Sequence, residues 1–158
     1  MKTAEIEKTI ADKVAMALRA LPALCDFKVY ANWGAENARN PYAEGGCKDP
    51  RTVDVKVRQR RYEAYTTAVA TVEIALDGRI DLNSRVTHVK PEDVYLEIIG
   101  LLEEWQRSVS AVKRDLGSEG FGPVGMRLDG GGEWEADAET KELNFTIPFT
   151  VKGRVGSC

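Results

Sequence analysis

A strict alternation of apolar and polar residues near the C-terminal end predicts the most strongly patterned strand of the chain. Large apolar residues occupy every second position: Leu143, Phe145, Ile147, Phe149 and Val151. Because a strand directs alternate side chains to opposite faces, this segment presents one apolar face. Pro148 has no N–H for a ladder hydrogen bond, which predicts an edge strand or a bulge. We therefore expect a strand over about residues 141–155 that invites a neighbour.

Shorter segments with the same alternation precede this strand. The predicted strands cover about residues 27–33, 53–58, 68–76 and 124–136. Asp77-Gly78 has turn chemistry and is expected to end the third of them. Gly130–Gly132 interrupts the fourth, either as a flexible tip or as a bulge.

Two stretches instead repeat apolar residues at spacings of three and four, which is typical of amphipathic helices. The first covers about residues 3–21, with Ile6, Ile10, Val14, Met16, Leu18 and Leu21 on its apolar side. The second runs from Pro91 to about Arg114, with Val94, Ile98, Leu101, Leu102, Trp105, Val109 and Val112 in its stripe. Gly100 costs about 1 kcal/mol inside a helix, and we expect it to mark close packing on the sheet.

The predicted order is helix, three strands, helix, two strands. This order indicates an α+β fold: a mixed, mostly antiparallel sheet of about five strands with two helices packed on one face. We expect a single domain over residues 1–158. Residues 34–50 are rich in Gly, Asn and Pro and form a predicted loop of unusual length for a compact domain.

Composition excludes several classes of function. The net charge is −3, so the chain as a whole does not attract nucleic acid or an anionic membrane. Its apolar runs are too short to span a bilayer, and the N-terminus lacks the apolar segment of a signal peptide. Cys25, Cys47 and Cys158 match no zinc spacing, and an odd number argues against a disulfide framework. We expect three reduced thiols in a cytosolic protein.

Candidate catalytic and cofactor motifs are weak. Gly120–Gly125 matches the dinucleotide-binding fingerprint G-x-G-x-x-G, which requires a preceding strand and a following helix. Here a helix precedes the motif and a strand follows it, so a turn is favoured. His88 is the sole histidine, but no nucleophile motif accompanies it and a surface position is favoured. We therefore predict no catalysis and no cofactor.

An acidic stripe is predicted on the strand that follows the glycine triplet. Glu133, Glu135 and Asp137 share strand parity and lie on one face. The spacing of a calcium loop and its glycine are absent, so no metal site is expected. A solvated strand face is favoured.

The densest basic region is Arg58, Arg60 and Arg61, with Tyr62 beside it. Three interpretations remain open. It could contact phosphates, or dock against an acidic patch such as Glu133–Glu139 of the next subunit. It could also be a charged hairpin tip that resists aggregation.

The order of these elements is similar to that of a known family. The matching elements are the N-terminal helix, the strand ending Val29-Tyr30, the polar loop, the hairpin from Val53 to Leu76 with its basic Arg60-Arg61-Tyr62, the helix from Pro91, and the final pair ending Phe145–Val151. Over nearly its whole length the chain resembles the tail terminator (tail completion) proteins of long-tailed bacteriophages. The resemblance rests on size, element order and hydrophobic pattern.

The resemblance implies a structural virion protein of the tail, assembled in the host cytoplasm. Such proteins form a homo-oligomeric ring, commonly a hexamer, that caps the tail tube protein and joins it to the neck or connector protein. DNA would only pass through the ring, and no membrane would be involved. The interface residues expected on this basis are Arg58, Arg60, Arg61, Tyr62, Glu133, Glu135, Phe149 and Val151.

Two other functions remain as alternatives. One is another head–tail connector or neck subunit, which would differ in position rather than in chemistry. The other is a small enzyme or ligand-binding α+β domain that uses His88, the acidic stripe or the glycine segment. A deep pocket lined by convergent polar groups would favour the latter.

Overall fold

A computed structural model describes residues 3–25, 27–32, 51–62, 68–81, 91–130, 133–137 and 142–156. The predicted loop 34–50, His88, Cys47 and Cys158 lie outside these residues. The helices are α1 Thr3–Arg19, a 3-10 helix Pro22–Leu24, α2 Pro91–Arg107 and α3 Val109–Leu116. The strands are β1 Lys28–Asn32, β2 Arg51–Tyr62, β3 Val69–Asp81, β4 Phe121–Leu128, β5 Glu133–Asp137 and β6 Glu142–Val155.

The described strands form one mixed sheet in the order β1-β2-β3-β6-β4, with β5 also paired to β6. Strands β1 and β2 are parallel, and every other pair is antiparallel. The predicted α+β class and mostly antiparallel sheet are confirmed, with six described strands where about five were expected.

Strand β6 lies inside the sheet, so the expectation of an edge strand is wrong. Strand β3 pairs with β6 along its whole length, and β4 and β5 pair in succession with its other side. The carbonyl of Pro148 accepts a hydrogen bond from the N–H of Asp129 at 3.0 Å, just beyond the end of β4. The proline nitrogen faces that same side, where β4 has ended and β5 has not begun, so its missing N–H falls in the gap between these two strands.

The predicted turn at Asp77-Gly78 is also wrong, because β3 continues through it to Asp81. Gly78 lies opposite Phe145 of β6. A Cβ at this glycine would lie 2.0 Å from the Phe145 ring, so the glycine makes room for the aromatic side chain. This glycine therefore serves packing inside a strand rather than a turn.

The three described α-helices cover one face of the sheet, α1 against β1 and β2, and α2 and α3 against β4. Their fully or almost fully buried residues include Ile6, Ile10, Val14, Leu18, Val94, Ile98, Leu102, Trp105 and Val112. The apolar face of β6 lies beneath them. Met16, expected on the apolar side of α1, is instead 61% exposed.

The long helix predicted from Pro91 is two helices. Ser108 is extended and its hydroxyl accepts a hydrogen bond from the N–H of Ala111 at 3.2 Å, which caps α3. The cap changes the direction of the chain, so Val109 leaves the predicted stripe and is 48% exposed. Because the apolar spacing continues across the Ser108 cap, the sequence pattern alone does not show that α2 ends there.

Gly100 does not mark close packing, contrary to the expectation from sequence. It is exposed in the middle of α2, and a Cβ there would have no atom within 4 Å. We expect Gly100→Ala to stabilise the protein by up to about 1 kcal/mol, because alanine has the higher helix propensity and restricts the unfolded chain. Chemical denaturation measures the effect, and a lower denaturation midpoint would contradict it.

Candidate assembly surfaces

The face of the sheet opposite the helices is polar and cross-linked by side chains. Lys56 Nζ of β2 lies 2.7 Å from Asp77 Oδ2 of β3. The hydroxyl of Thr146 in β6 donates to the same carboxylate at 3.0 Å. Polar contacts therefore cross three adjacent strands in one row. Such exposed pairs contribute little stability, so their consequence is a polar, solvated surface.

A second polar row crosses the sheet farther along β6. Arg61 of β2 pairs with Glu73 of β3, which lies opposite Thr150 of β6. The Thr150 hydroxyl donates to Asp129, whose other oxygen lies 2.9 Å from Arg127 Nε. This row shows that the predicted basic region is partly neutralised within its own subunit.

The structure places the predicted basic residues at the C-terminal end of strand β2. Arg58 and Arg61 are exposed. In the pairing of β2 with β3, Arg60 lies opposite Val72 and Tyr62 lies opposite Ala70. The predicted basic interface is therefore accessible at Arg58, whereas Arg61 already contacts a carboxylate of its own chain.

The predicted acidic residues lie at the other end of the sheet. Glu135 is exposed and lies opposite Asn144, and Glu133 lies opposite Thr146. Arg61 shares a row with Thr71, which pairs with Lys152 of β6. The eight residues between Asn144 and Lys152 correspond to roughly 27 Å of strand. The acidic and basic groups are thus not brought together within one subunit.

Phe149 and Val151 do not belong to an accessible surface. Both are fully buried beneath the helices, and the Phe149 ring lies 6.3 Å from that of Trp105, centroid to centroid. Their expected role at a subunit interface is therefore corrected: the apolar face of β6 is the core of the subunit itself.

Two of the outer strands of the described sheet, β1 and β4, carry side-chain hydrogen bonds; β5, which pairs only with β6, is also an outer strand. Arg19 Nη2 donates to the Val29 carbonyl of β1 at 2.6 Å. At the other side, the N–H of Leu128 in β4 donates to Gln106 Oε1 at 2.7 Å. Occupied edge groups disfavour the addition of a further strand at those positions. Side-chain surfaces are the better candidates for assembly.

One such surface is a shallow groove between the 3-10 helix and α2, which we call the Leu96 groove. Its volume is about 450 Å³, and it is lined by Pro22, Ala23, Asp93, Leu96 and Glu97. Leu96 is 63% exposed, the highest exposure among the large apolar side chains described. Glu97 Oε1 accepts a hydrogen bond from the Ala23 N–H at 3.3 Å, which joins the two walls.

The second surface is the bulge in β4, which we call the Val124 knob. The β4–β6 register shifts between Pro123 and Gly125, and Val124 between them is 39% exposed. Gly125 lies opposite Lys152, and both neighbouring cationic residues of β6, Lys152 and Arg154, are exposed. Sequence reasoning missed Val124 and Leu96, although Leu96 is visibly an apolar residue outside the helical stripe.

A buried indole anchors α3 to α2. Trp105 Nε1 donates to Asp115 Oδ2 at 2.7 Å. Arg114 donates to Asp115 and also to Glu104, which raises the Arg114 pKa. The Arg114 hydrogen bond holds the Asp115 pKa below its ordinary value of 3.8, against the opposing effect of burial, and the Trp105 hydrogen bond adds to the lowering.

We expect Asp115→Asn to lower stability at neutral pH and to change its pH dependence. A depressed folded-state pKa stabilises the fold above the unfolded pKa of about 3.9, and that contribution is lost as the pH falls through the folded pKa. The stability difference between wild type and Asp115→Asn should therefore be constant near neutrality and shrink below about pH 4. Urea denaturation at several pH values measures it, and parallel curves down to pH 2 would contradict it.

The glycine motif and metal chemistry contribute no site among the described residues. Gly122 and Gly125 lie within β4, and the next described element is strand β5 rather than a helix, so the described residues do not form the phosphate-binding geometry there. In the described ranges, no cluster of three or more His, Cys, Asp or Glu side chains is placed to hold a metal ion. Nor does any helix of those ranges have the length and apolar character to cross a bilayer.

Comparison with known proteins gives a match at the level of fold. No protein-family model matches the chain, and no curated protein sequence matches it. Among solved structures, it is similar to a chain from the virion of a native gene transfer agent (GTA) particle, with a TM-score of 0.56 and 12% sequence identity. The match covers 92% of this chain and 94% of that chain, so the two share a fold over nearly their whole lengths.

Proposed function

We propose that the chain is a structural virion subunit that acts by assembly rather than by catalysis. The observation that supports this most strongly is the fold match to a chain of a gene transfer agent virion, which leaves little of either chain uncovered. A match of that extent argues for a complete shared unit rather than a common supersecondary motif. A virion subunit is also what the resemblance of the element order to phage tail terminator proteins implies.

More specifically, we propose that the subunit forms a ring, of six copies by analogy with tail terminators, on the tail tube. The ring would end tube polymerisation and join the tube to the head-side connector. Surfaces for two kinds of contact are available: the Leu96 groove and Val124 knob, and the polar sheet face together with the exposed Arg58 of β2. Heterologous contacts that close by rotation generate such rings.

Deletion of the gene in the particle-producing strain, followed by electron microscopy of the tails, tests the proposal. A tail terminator is expected to leave tubes of uncontrolled length. Tails of normal length that fail to join heads would replace the terminator role with that of a connector or neck subunit. Intact, infectious or DNA-transferring particles without the chain would contradict a structural role altogether.

A further inference from the structure

We propose that the Leu96 groove of one subunit receives the Val124 knob of a second copy. This inference rests on the proposed assembly function and names the surfaces that would make the ring. It is heterologous: two different patches meet, and each subunit retains one of each for the next neighbour.

The groove combines an apolar floor with an acidic rim. Leu96, Pro22 and Ala23 supply the apolar surface, and Leu96 is 63% exposed. Asp93 and Glu97 line the same groove. Asp93 is exposed on the first turn of α2, and Glu97 is half-buried by its bond to the Ala23 N–H. A partner that fits must present an apolar side chain flanked by positive charge.

The β4 bulge has that composition. Val124 is exposed at the register shift, and bulges are known to redirect a side chain away from the ladder. Lys152 and Arg154 lie on the neighbouring strand at either side of the shift, opposite Gly125 and Gly122. Those partners are glycines, which carry no side chain opposite the two cations.

The two surfaces cannot meet within one molecule. Leu96 of the groove directly follows Tyr95 in α2, and the Tyr95 ring packs on Phe145 at 6.2 Å between centroids, near the beginning of β6. Arg154 is nine residues farther along that strand, or roughly 30 Å away. The groove lies beside α2 on the helix-covered side, whereas Arg154 pairs with Gly122 on the opposite face. Separated complementary patches favour head-to-tail contacts over a two-fold dimer.

Cross-linking between cysteines placed at the two surfaces tests this pairing. In a background with Cys25→Ser, Cys47→Ser and Cys158→Ser, Leu96→Cys and Val124→Cys are introduced separately and together, and a short bismaleimide is added. The double variant should give a ladder of covalent oligomers. A mixture of the two single variants should stop at the dimer, and each single variant alone should remain uncross-linked.

Charge reversal provides a second, independent measurement. Arg154→Glu should weaken self-association roughly tenfold or more by placing like charges against Asp93, and Asp93→Lys should do the same. Combining both reversals in one chain should restore association. Lys113→Glu, an equal change at an exposed cation of α3, is the matched control and should associate as wild type.

The outcomes separate this inference from the proposed function. The pairing is overturned if rings form although the double variant Leu96→Cys, Val124→Cys gives no ladder of covalent oligomers, or if rings still form with Arg154→Glu. Either result leaves the proposed virion role standing. Absence of both the ladder and self-association at the highest attainable concentration also overturns it. A ladder from a chain that is dispensable for particles supports the pairing and contradicts the virion role.

Discussion

Trp105→Ala is expected to destabilise the subunit by about 3–5 kcal/mol, a large part of the total stability of a domain of this size. The Trp105 side chain is fully buried, packs on Phe149, and donates its indole N–H to Asp115 at 2.7 Å. Alanine would leave a cavity between α2 and β6 and remove the donor that joins α2 to α3. Urea denaturation followed by far-UV circular dichroism measures the loss.

Two companion variants make the result interpretable. Met16→Ala removes a side chain that is 61% exposed and should change stability by no more than about 0.5 kcal/mol. Trp105→Phe keeps most of the apolar volume while removing the hydrogen bond, so it should be less damaging than Trp105→Ala and remains measurable if the latter fails to fold. Equal denaturation midpoints for Trp105→Ala and Met16→Ala would contradict the described core.

Gly78→Ala is expected to cost about 1–3 kcal/mol through overpacking, although alanine is normally better than glycine in a strand. The added Cβ would lie 2.0 Å from Phe145 Cζ. The Phe145 ring is 2% exposed and Tyr95 packs against it edge-to-face, so it cannot move aside freely. Denaturation midpoints measure the cost.

A double-mutant cycle identifies the ring as the cause. Phe145→Leu alone should be destabilising, but adding Gly78→Ala to it should cost much less than in the wild type, because the clashing ring atoms are gone. Gly125→Ala is the matched control, since a Cβ at that β4 position would have no atom within 4 Å. Additive costs for Gly78→Ala and Phe145→Leu would refute the packing argument.

The periodic elements were predictable from sequence because burial imposes the period. Alternation identified β6 and its apolar face, and helical spacing identified α1 and α2. Alternation shows which face of a strand is apolar, but it does not show which strands lie beside it. For this reason Pro148 suggested an edge position for β6. Pro148 is accommodated in an interior strand because it lies opposite the gap between β4 and β5. That gap depends on where these two strands pair with β6.

The candidate surfaces were predictable only in part. The exposed Arg58 and Glu135 followed from charge and strand parity. Phe149 and Val151 were assigned to an interface because sequence alone cannot say whether an apolar face is covered by the chain's own helices. Val124 carries no distinctive signal, since the bulge that exposes it arises from the pairing of β4 with β6.

Cryo-electron microscopy of purified particles that contain the chain tests the central claim most directly. The account predicts a closed ring of copies at the head-proximal end of the tail tube, with neighbouring subunits in contact through side-chain surfaces rather than added strands. Particles that lack the chain, together with a strictly monomeric protein that does not bind tail tubes, would contradict it.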